Sequence, residues 1–173
     1  YADILYRYMA EKGIGDVREE MGEDFGRYSE EIFALHDIGR HFIPFAILNK
    51  VGGLSEEEIQ IIKDHTVNAR RAMDGIYIQP FPDKIMEQWR GIAVYHHERF
   101  DGDGYPEGKK GEEIPIGARI CAIADTYDGI VSWKPYKKKQ TTREEAVRII
   151  EEEAGGQFQP ELVGIFKKCV DRF

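Results

Sequence analysis

Residues 96–106 read HHERFDGDGYP, two adjacent imidazoles followed by an acidic loop with alternating glycines. Paired histidines bring metal-ligand nitrogens together at one helix end, and alternating glycines let backbone approach a ligand closely. The stretch therefore indicates a metal site next to a ligand-binding loop. The two loop carboxylates, Asp101 and Asp103, have the spacing of turn residues, which favours a structural role over metal binding.

The composition of the whole chain limits what this stretch can bind. With 173 residues, 42% of them hydrophobic, the sequence predicts a single domain over residues 1–173 with a full core. The formal net charge of −8 argues against nucleic-acid polymers and anionic membranes as partners. An anionic ligand would need a local positive site, such as bound metal ions or the lysine-rich stretch 134–139. Those lysines are also typical of a solvated loop, which is the more common case.

The cysteines and the apolar segments bear on cellular location. Cys121 and Cys169 lack Cys-x-x-Cys spacing and are typical of reduced thiols in a cytosolic protein. The sequence has no signal peptide and no apolar run of the roughly 20 residues that a membrane span needs. We therefore expect a cytoplasmic protein without direct membrane insertion. Because the sequence begins at Tyr1 and not at Met, we also expect a domain cut from a longer protein.

Apolar spacing predicts helices throughout the chain and no run of alternating strands. Ser55 forms a capping box with Glu58. Thr142 forms a second one with Glu145, and Asp83 is predicted as an N-cap. The predicted helices cover residues 2–12, 25–37, 55–73, 83–97, 114–131, 142–153 and a last segment from Pro160. The sequence thus predicts an all-α fold.

Four of the five histidines lie at predicted helix ends or on apolar stripes, and two aspartates are placed similarly. For one such histidine alone, an ordinary core or surface role is the commoner explanation. Six unpaired polar groups in one core would be costly, whereas a pair of metal ions satisfies them all. These candidate ligands are His36, Asp37, His65, His96, His97 and Asp125. The fifth histidine, His41, is assigned to a loop.

The mixed imidazole and carboxylate set suits iron, manganese or zinc better than calcium, whose ligands are normally all oxygen. Neighbouring helical residues diverge by about 100°, so His36 and Asp37 are expected to address different metals, with the carboxylate able to bridge them. Two metals about 3.5 to 4 Å apart lower the pKa of a bridging water and hold a phosphoryl group. The sequence therefore favours phosphoester hydrolysis.

Several motifs follow one another in a defined order along the chain. They are His36-Asp37-Ile38-Gly39, Ile43-Pro44, Ile47-Leu48-Asn49-Lys50, His65, residues 96–106, Ala118-Arg119-Ile120, residues 124–128, Lys134-Pro135-Tyr136 and residues 156–160. This ordered set strongly resembles the HD-GYP family, a branch of the HD-domain metal-dependent phosphohydrolases. The resemblance covers roughly residues 25–170. A lone His-Asp pair would be weak support, whereas the ordered set is highly specific.

The resemblance implies a helical HD-domain bundle with a glycine-rich GYP loop. It implies hydrolysis of cyclic di-GMP to pGpG or GMP through a metal-activated hydroxide. Two divalent metal ions, or three, would be held by the six candidate ligands, with iron or manganese favoured and zinc allowed. Catalytic roles fall on His36, Asp37 and Arg40, and substrate contacts fall on Arg40, Gly104, Tyr105, Lys134 and Lys137. The family is bacterial and often serves as the output of larger signalling proteins, so we expect a fused or interacting receiver or sensor domain. A homodimer is left open.

Three positions depart from the family pattern. Arg40 stands where the family usually has lysine, and a guanidinium binds phosphate well but is a poor proton donor. No histidine precedes His36, so residues 1–24 are predicted as a truncated or diverged first helix, with Asp3 a candidate substitute by position. Phe45 replaces a frequent aspartate. These departures keep an alternative open, in which a catalytically impaired domain binds a cyclic dinucleotide or a protein.

Overall fold

The computed structural model describes residues 1–15, 17–75, 80–132 and 141–173. Within these ranges the chain forms α-helices and short 3-10 turns with no β-strand, and a single isolated bridge joins Ala154 and Phe158. The helices are α1 (Ala2–Lys12), α2 (Val17–Met21), α3 (Ser29–Ala34), α4 (Phe45–Leu48), α5 (Glu56–Lys63), α6 (His65–Asp74), α7 (Asp83–Tyr95), α8 (Ile116–Val131), α9 (Arg143–Glu152) and α10 (Pro160–Cys169). The predicted all-α fold is confirmed. No helix in the described ranges has the length and apolar content of a membrane span.

Several predicted helix boundaries are confirmed by their capping groups. Gly13 ends α1 in the left-handed conformation, with φ of 62°, and its N–H donates to the carbonyl of Met9. Ser55 and Thr142 both form complete capping boxes at the starts of α5 and α9. Pro160 begins α10, where its missing N–H costs no helical hydrogen bond.

The single helix predicted over residues 55–73 is wrong, because α5 and α6 are separated at Asp64. The side chains of His65 and Thr66 explain the break. The Nδ1 of His65 lies 2.7 Å from the carbonyl oxygen of Ile62, and the hydroxyl of Thr66 donates to the carbonyl of Lys63 at 3.0 Å. Such local bonds compete with the helical pattern and favour a new start.

Two other predicted helices also differ from the structure at their ends. The segment predicted as one helix over residues 25–37 is a 3-10 turn, Phe25–Arg27, followed by α3, so the His-Asp pair lies beyond the end of α3. Asp83 is the first residue of α7 and not its N-cap, which is Pro82. Helix α7 ends at Tyr95, one residue before the paired histidines. The ligand histidines were therefore predicted inside helices that end just before them. The pattern also missed α2.

Helix α8 forms the centre of the core, and nine of its 16 residues are buried. It packs against α1, α2, α7, α9 and α10. The packing is close enough to need a small residue at Gly117, where an added Cβ would lie 2.8 Å from side-chain atoms of Ile92 and Met21. Ala118 and Ala122 are buried on the same helix, and Asp125 follows one turn later, at the edge of the core.

The segment after the His-Asp pair is a 3-10 helix, Ile38–Phe42, that crosses the start of α6 at contact distance. An added Cβ at Gly39 would lie 1.9 Å from the carbonyl oxygen of His65, so only glycine allows this crossing. The connection between the two crossing segments is not buried. None of residues 45–63, which include α4 and α5, is buried, and we call residues 45–63 the arm.

Candidate metal centre

Hydrogen bonds to nearby backbone carbonyl groups orient three of the imidazoles. The Nδ1 atoms of His36 and His65 each lie 2.7 Å from the carbonyl oxygen three residues earlier. The Nδ1 of His96 lies 3.1 and 3.2 Å from the carbonyl oxygens four and three residues earlier. A carbonyl can only accept, so each ring carries its proton on Nδ1 and turns Nε2 away from the backbone that precedes it.

The freed Nε2 atoms converge on the carboxylate of Asp37. Its Oδ1 lies 3.3 Å from Nε2 of His65 and 3.7 Å from Nε2 of His96. The Nε2 of His36 lies 3.4 Å from Asp37 Oδ2 and 3.6 Å from Asp125 Oδ1. The Nε2 atoms of His65 and His96 are 3.3 Å apart. Four chain segments thus supply one cluster.

Two groups within this cluster have the spacing of metal ligands. One is His65, His96 and His97, and the other is His36, Asp37 and His96; within each group the ligand atoms lie within 4.8 Å of one another. His96 belongs to both groups, but its Nε2 carries a single lone pair, so it can bind only one cation at a time. All six predicted ligands are therefore brought together, with Asp125 joined to the cluster through His36.

Two atoms at the centre are buried and have no hydrogen-bond partner among the described residues. They are Nε2 of His36 and Oδ1 of Asp37. A buried polar atom without a partner costs free energy, and a metal cation satisfies a nitrogen lone pair and a carboxylate oxygen together. The residues present therefore fit divalent cations, and the mixed nitrogen and oxygen donors suit a transition metal.

The pKa shifts in the cluster favour the neutral imidazoles that bind metal. Burial lowers the pKa of His96 well below its usual value and lowers that of His97 to about 4. Burial also lowers the pKa of His65. These rings are neutral at pH 7 and need lose no proton from Nε2 to bind a cation.

His36 and Asp125 differ from those three rings because each faces an opposite charge. Burial lowers the pKa of His36, but the carboxylates of Asp125 and Asp37 outweigh it, and the net pKa is raised. Burial raises the pKa of Asp125, but His36 outweighs it and brings the pKa to about 2. A cation placed here would compete with a proton at His36, and Asp125 is ionised throughout the physiological range.

A family model described as "HD domain" matches residues 30–162. The chain belongs to the HD domain family. Its motifs and relatives place it in the HD-GYP branch.

Two curated relatives are longer than this chain. One from Thermotoga maritima, named cyclic di-GMP phosphodiesterase, is 43% identical over 156 residues, which cover 89% of this chain and 41% of that protein. One from Vibrio cholerae, named 3'3'-cGAMP-specific phosphodiesterase 2, is 33% identical over 139 residues, which cover 80% of this chain and 26% of that protein. The chain therefore spans less than half the length of these curated relatives.

A solved structure shares the fold. It is described as an HDGYP protein from Bdellovibrio bacteriovorus and matches with a TM-score of 0.64 at 16% identity, over 98% of this chain and 50% of that one.

The HD-GYP motif residues Gly104 and Tyr105 lie in the loop after α7. An added Cβ at Gly104 would lie 2.2 Å from the backbone nitrogen of Arg99, so this glycine is required by packing within the loop. The Tyr105 ring stacks on His97, with ring centres 5.0 Å apart and planes 25° apart. Burial raises the pKa of Tyr105 to about 12, so the phenol keeps its proton. The predicted loop tyrosine therefore lies against a candidate metal ligand.

Arg40 lies beside the cluster. Its Nε is 2.9 Å from Oδ1 of Asp37, an ion pair that lacks hydrogen-bond geometry, and nearly half of its side chain is exposed. The guanidinium is thus close enough to the cluster to meet an anion bound there. The other two predicted substrate contacts, Lys134 and Lys137, lie outside the described residues.

Asp3 was a candidate replacement for the missing upstream histidine, and the structure gives it other partners. Arg7 Nε lies 2.9 Å from both of its oxygens, and Ser29 Oγ donates to one of them at 2.5 Å. Asp3 shares a cavity of about 270 Å³ with His36 and Asp125. It faces the centre across that cavity and does not contact the cluster.

Sequence reasoning missed three residues around the centre. The indole N–H of Trp89 donates to the carbonyl of Leu35 at 3.1 Å, next to the His-Asp pair. Lys63 lies 5.2 Å from the ring centre of Tyr105. Glu98 is 2% exposed and accepts two loop amides. The only sequence signal for Glu98 was a charge placed directly after two candidate ligands. The structural role predicted for Asp101 is confirmed by its bonds to Arg99 and to its own turn.

Proposed function

We propose that this HD-GYP domain hydrolyses the phosphodiester bonds of cyclic di-GMP to pGpG or GMP, with two divalent metal ions held by the six clustered ligands. The observation that carries this proposal is a pair of buried atoms without a hydrogen bond at the centre of the cluster, Nε2 of His36 and Oδ1 of Asp37. The printed activities of the relatives supply the substrate class.

The ligands divide into two groups. His65, His96 and His97 would hold one ion, and His36, Asp37 and the nearby Asp125 would hold the second. When bound, two divalent ions supply water activation and charge neutralisation at phosphorus. Iron or manganese is favoured by the resemblance, with zinc allowed. A third ion would need ligands beyond these six, and the carboxylate of Asp3 is bonded to Arg7 and Ser29.

The residues around the cluster would position the nucleotide. Arg40 presents a permanent positive charge beside Asp37 and would contact a phosphate oxygen. The Tyr105 ring, backed by His97, offers a flat apolar face for a base or ribose. Lys63 adds a second positive charge next to that ring. Lys134 and Lys137 stay proposed contacts from the family resemblance.

The alternative is an impaired HD-GYP domain that binds a cyclic dinucleotide or a protein without turnover. It is favoured by one observation, the ion pair between Arg40 and Asp37. A guanidinium at 2.9 Å from a bridging carboxylate opposes a cation at the same oxygen and donates protons poorly. The cytoplasmic location, the homodimer and the fused receiver or sensor domain stay predictions.

The deciding experiment incubates the protein, loaded anaerobically with iron or manganese, with cyclic di-GMP and with 3'3'-cGAMP. Products are separated by chromatography, and metal content is measured on the same samples. We expect pGpG or GMP from cyclic di-GMP. No product from either nucleotide at full metal occupancy would refute the enzyme, and retained nucleotide binding would then support the alternative. Preferential cleavage of 3'3'-cGAMP would refute the proposed substrate.

A further inference from the structure

Glu98 is a buried carboxylate that the proposed chemistry does not use. Its exposure is 2%, and it directly follows the two histidines at the end of α7. Its Oε1 accepts the backbone N–H of Glu107 at 2.7 Å, and its Oε2 accepts the backbone N–H of Lys109 at 3.0 Å. Both oxygens therefore accept hydrogen bonds from the later part of the loop, at residues 107 and 109, and not from the cluster.

The loop between Glu98 and Lys109 folds back onto residues 97–99, which we call its stem. The backbone N–H of Tyr105 donates to the carbonyl of His97 at 3.2 Å. An added Cβ at Gly104 would lie 2.5 Å from the Cα of Glu98, so the returning chain touches the stem backbone. The Glu98 carboxylate secures the next part of the return, at Glu107. Tyr105 thus lies between two points where the loop is fixed to its stem.

This closure determines where the Tyr105 ring stands. The ring stacks on His97 on one side, and Lys63 Nζ lies 5.2 Å from its centre. A ring that contacts both a candidate metal ligand and a cation is in position to meet a nucleotide. The position depends on the loop, since Tyr105 belongs to no helix.

We propose that Glu98 is a positioning residue for the nucleotide: its carboxylate holds the loop closed and so keeps the Tyr105 ring on His97, without contact to substrate or metal. The inference rests on the proposed function for the identity of the ligand. Its structural half, the closure of the loop by a carboxylate, is independent of that function.

A glutamine at this position tests the proposal with little change of shape. Its amide group offers one acceptor oxygen, so one of the two loop N–H groups would face an NH₂ group. Glu98→Asp keeps the charge on a shorter side chain. Glu113→Gln is the matched control, because Glu113 accepts the backbone N–H of Lys110 at 3.1 Å in the same region but is exposed.

The experiment measures three quantities on each metal-loaded variant: metal content, affinity for a non-hydrolysable phosphorothioate analogue of cyclic di-GMP, and hydrogen exchange of the loop amides. For Glu98→Gln we expect about tenfold weaker nucleotide binding, faster exchange at Glu107 and Lys109, and unchanged metal content. Glu98→Asp should fall between this variant and the wild type, and Glu113→Gln should match the wild type.

Each other outcome has a defined meaning. Unchanged affinity and exchange in Glu98→Gln would overturn the proposal, and so would loss of metal in parallel with nucleotide. If Glu98→Gln fails to fold, Glu98→Asp carries the test, and wild-type affinity there together with wild-type exchange would overturn the proposal. If the wild type binds no nucleotide, the proposed function fails, and hydrogen exchange alone still decides whether Glu98 closes the loop.

Discussion

The arm is exposed, whereas the two segments that it connects are closely packed against each other. At its ends, the 3-10 helix Ile38–Phe42 and the start of α6 cross so closely that an added Cβ at Gly39 would lie 1.9 Å from the carbonyl oxygen of His65. Between those ends, no residue of the arm is buried, and Phe45 and Val51 are 80% and 99% exposed. His36, Asp37 and His65 are therefore placed by the crossing and not by the chain that connects its two segments.

This difference follows from what each part must do. A crossing of two backbones at contact distance requires an exact fit, since interiors are packed as densely as crystals. A connection between two fixed points costs only chain entropy, which changes slowly with its length. The arm should therefore tolerate changes that the crossing does not.

The largest expected effect is at the crossing. Gly39→Ala places a methyl group against the backbone of α6, so we expect the free energy of unfolding to fall by more than about 4 kcal/mol, with loss of metal from any folded fraction. Urea unfolding and metal analysis measure both. Gly53→Ala, in the arm, has no atom within 4 Å of the added Cβ and should stay within about 0.5 kcal/mol of the wild type. Equal urea midpoints for Gly39→Ala and Gly53→Ala would contradict the expected difference between the crossing and the arm.

The next effect is at a buried ligand. His96 is 1% exposed and supplies one of the three imidazoles of its ligand group, so His96→Ala should lower metal affinity by about a hundredfold or more, as measured by competition with a chromogenic chelator. His41→Ala is the control, because His41 is an exposed histidine of the 3-10 helix Ile38–Phe42 and belongs to neither ligand group. Metal binding by His96→Ala equal to that of the control would contradict the assignment of the cluster.

Acid should destabilise the metal-free protein through the cluster. Unfolded His97 takes up a proton near its ordinary pKa of 6.5, whereas burial holds the folded pKa at about 4. Between these values the unfolded state binds more protons, so the free energy of unfolding falls as pH falls from about 6.5 to about 4, by on the order of 3 kcal/mol. His36, whose pKa is raised, acts in the opposite direction.

Urea unfolding in chelator at pH 7, 6, 5 and 4 measures this slope. We expect His97→Gln to flatten it and His41→Gln, which replaces an exposed imidazole near the arm, to leave it unchanged. A slope in His97→Gln as steep as in the wild type would show that His97 does not cause the acid sensitivity.

The smallest expected effect is in the arm. Replacing both Phe45 and Val51 with serine removes two exposed side chains, so the free energy of unfolding should change by no more than about 0.5 kcal/mol. Ile92→Ala, in the core, should cost about 2–5 kcal/mol in the same urea assay. A loss from the arm variant as large as from Ile92→Ala would mean that the arm is packed in solution.

Much of the fold and all six clustered residues could be predicted from the sequence, because they depend on local signals. The capping boxes at Ser55 and Thr142 and the proline that begins α10 need only their immediate neighbours. The clustering of the histidines followed from counting polar groups that a core could not otherwise satisfy.

What the sequence did not reveal depends on contacts between distant segments. The break between α5 and α6 comes from side-chain bonds of His65 and Thr66, and apolar spacing runs through it without a change. The engagement of Asp3 by Arg7 and Ser29 joins two helices whose packing no motif encodes. The buried position of Glu98 appears only once the loop has closed, since glutamate is ordinarily a surface residue.

The carbonyl groups that aim His36, His65 and His96 come from the backbone three or four residues earlier in the same segment. Every amino acid carries such a carbonyl, so no side-chain replacement can delete one while the segment keeps its shape. The aim of these rings is thus inherited with the local backbone and not with particular neighbouring side chains. Evolution could replace many residues of the surrounding bundle, one position at a time, while the Nε2 lone pairs of these three histidines keep the same direction.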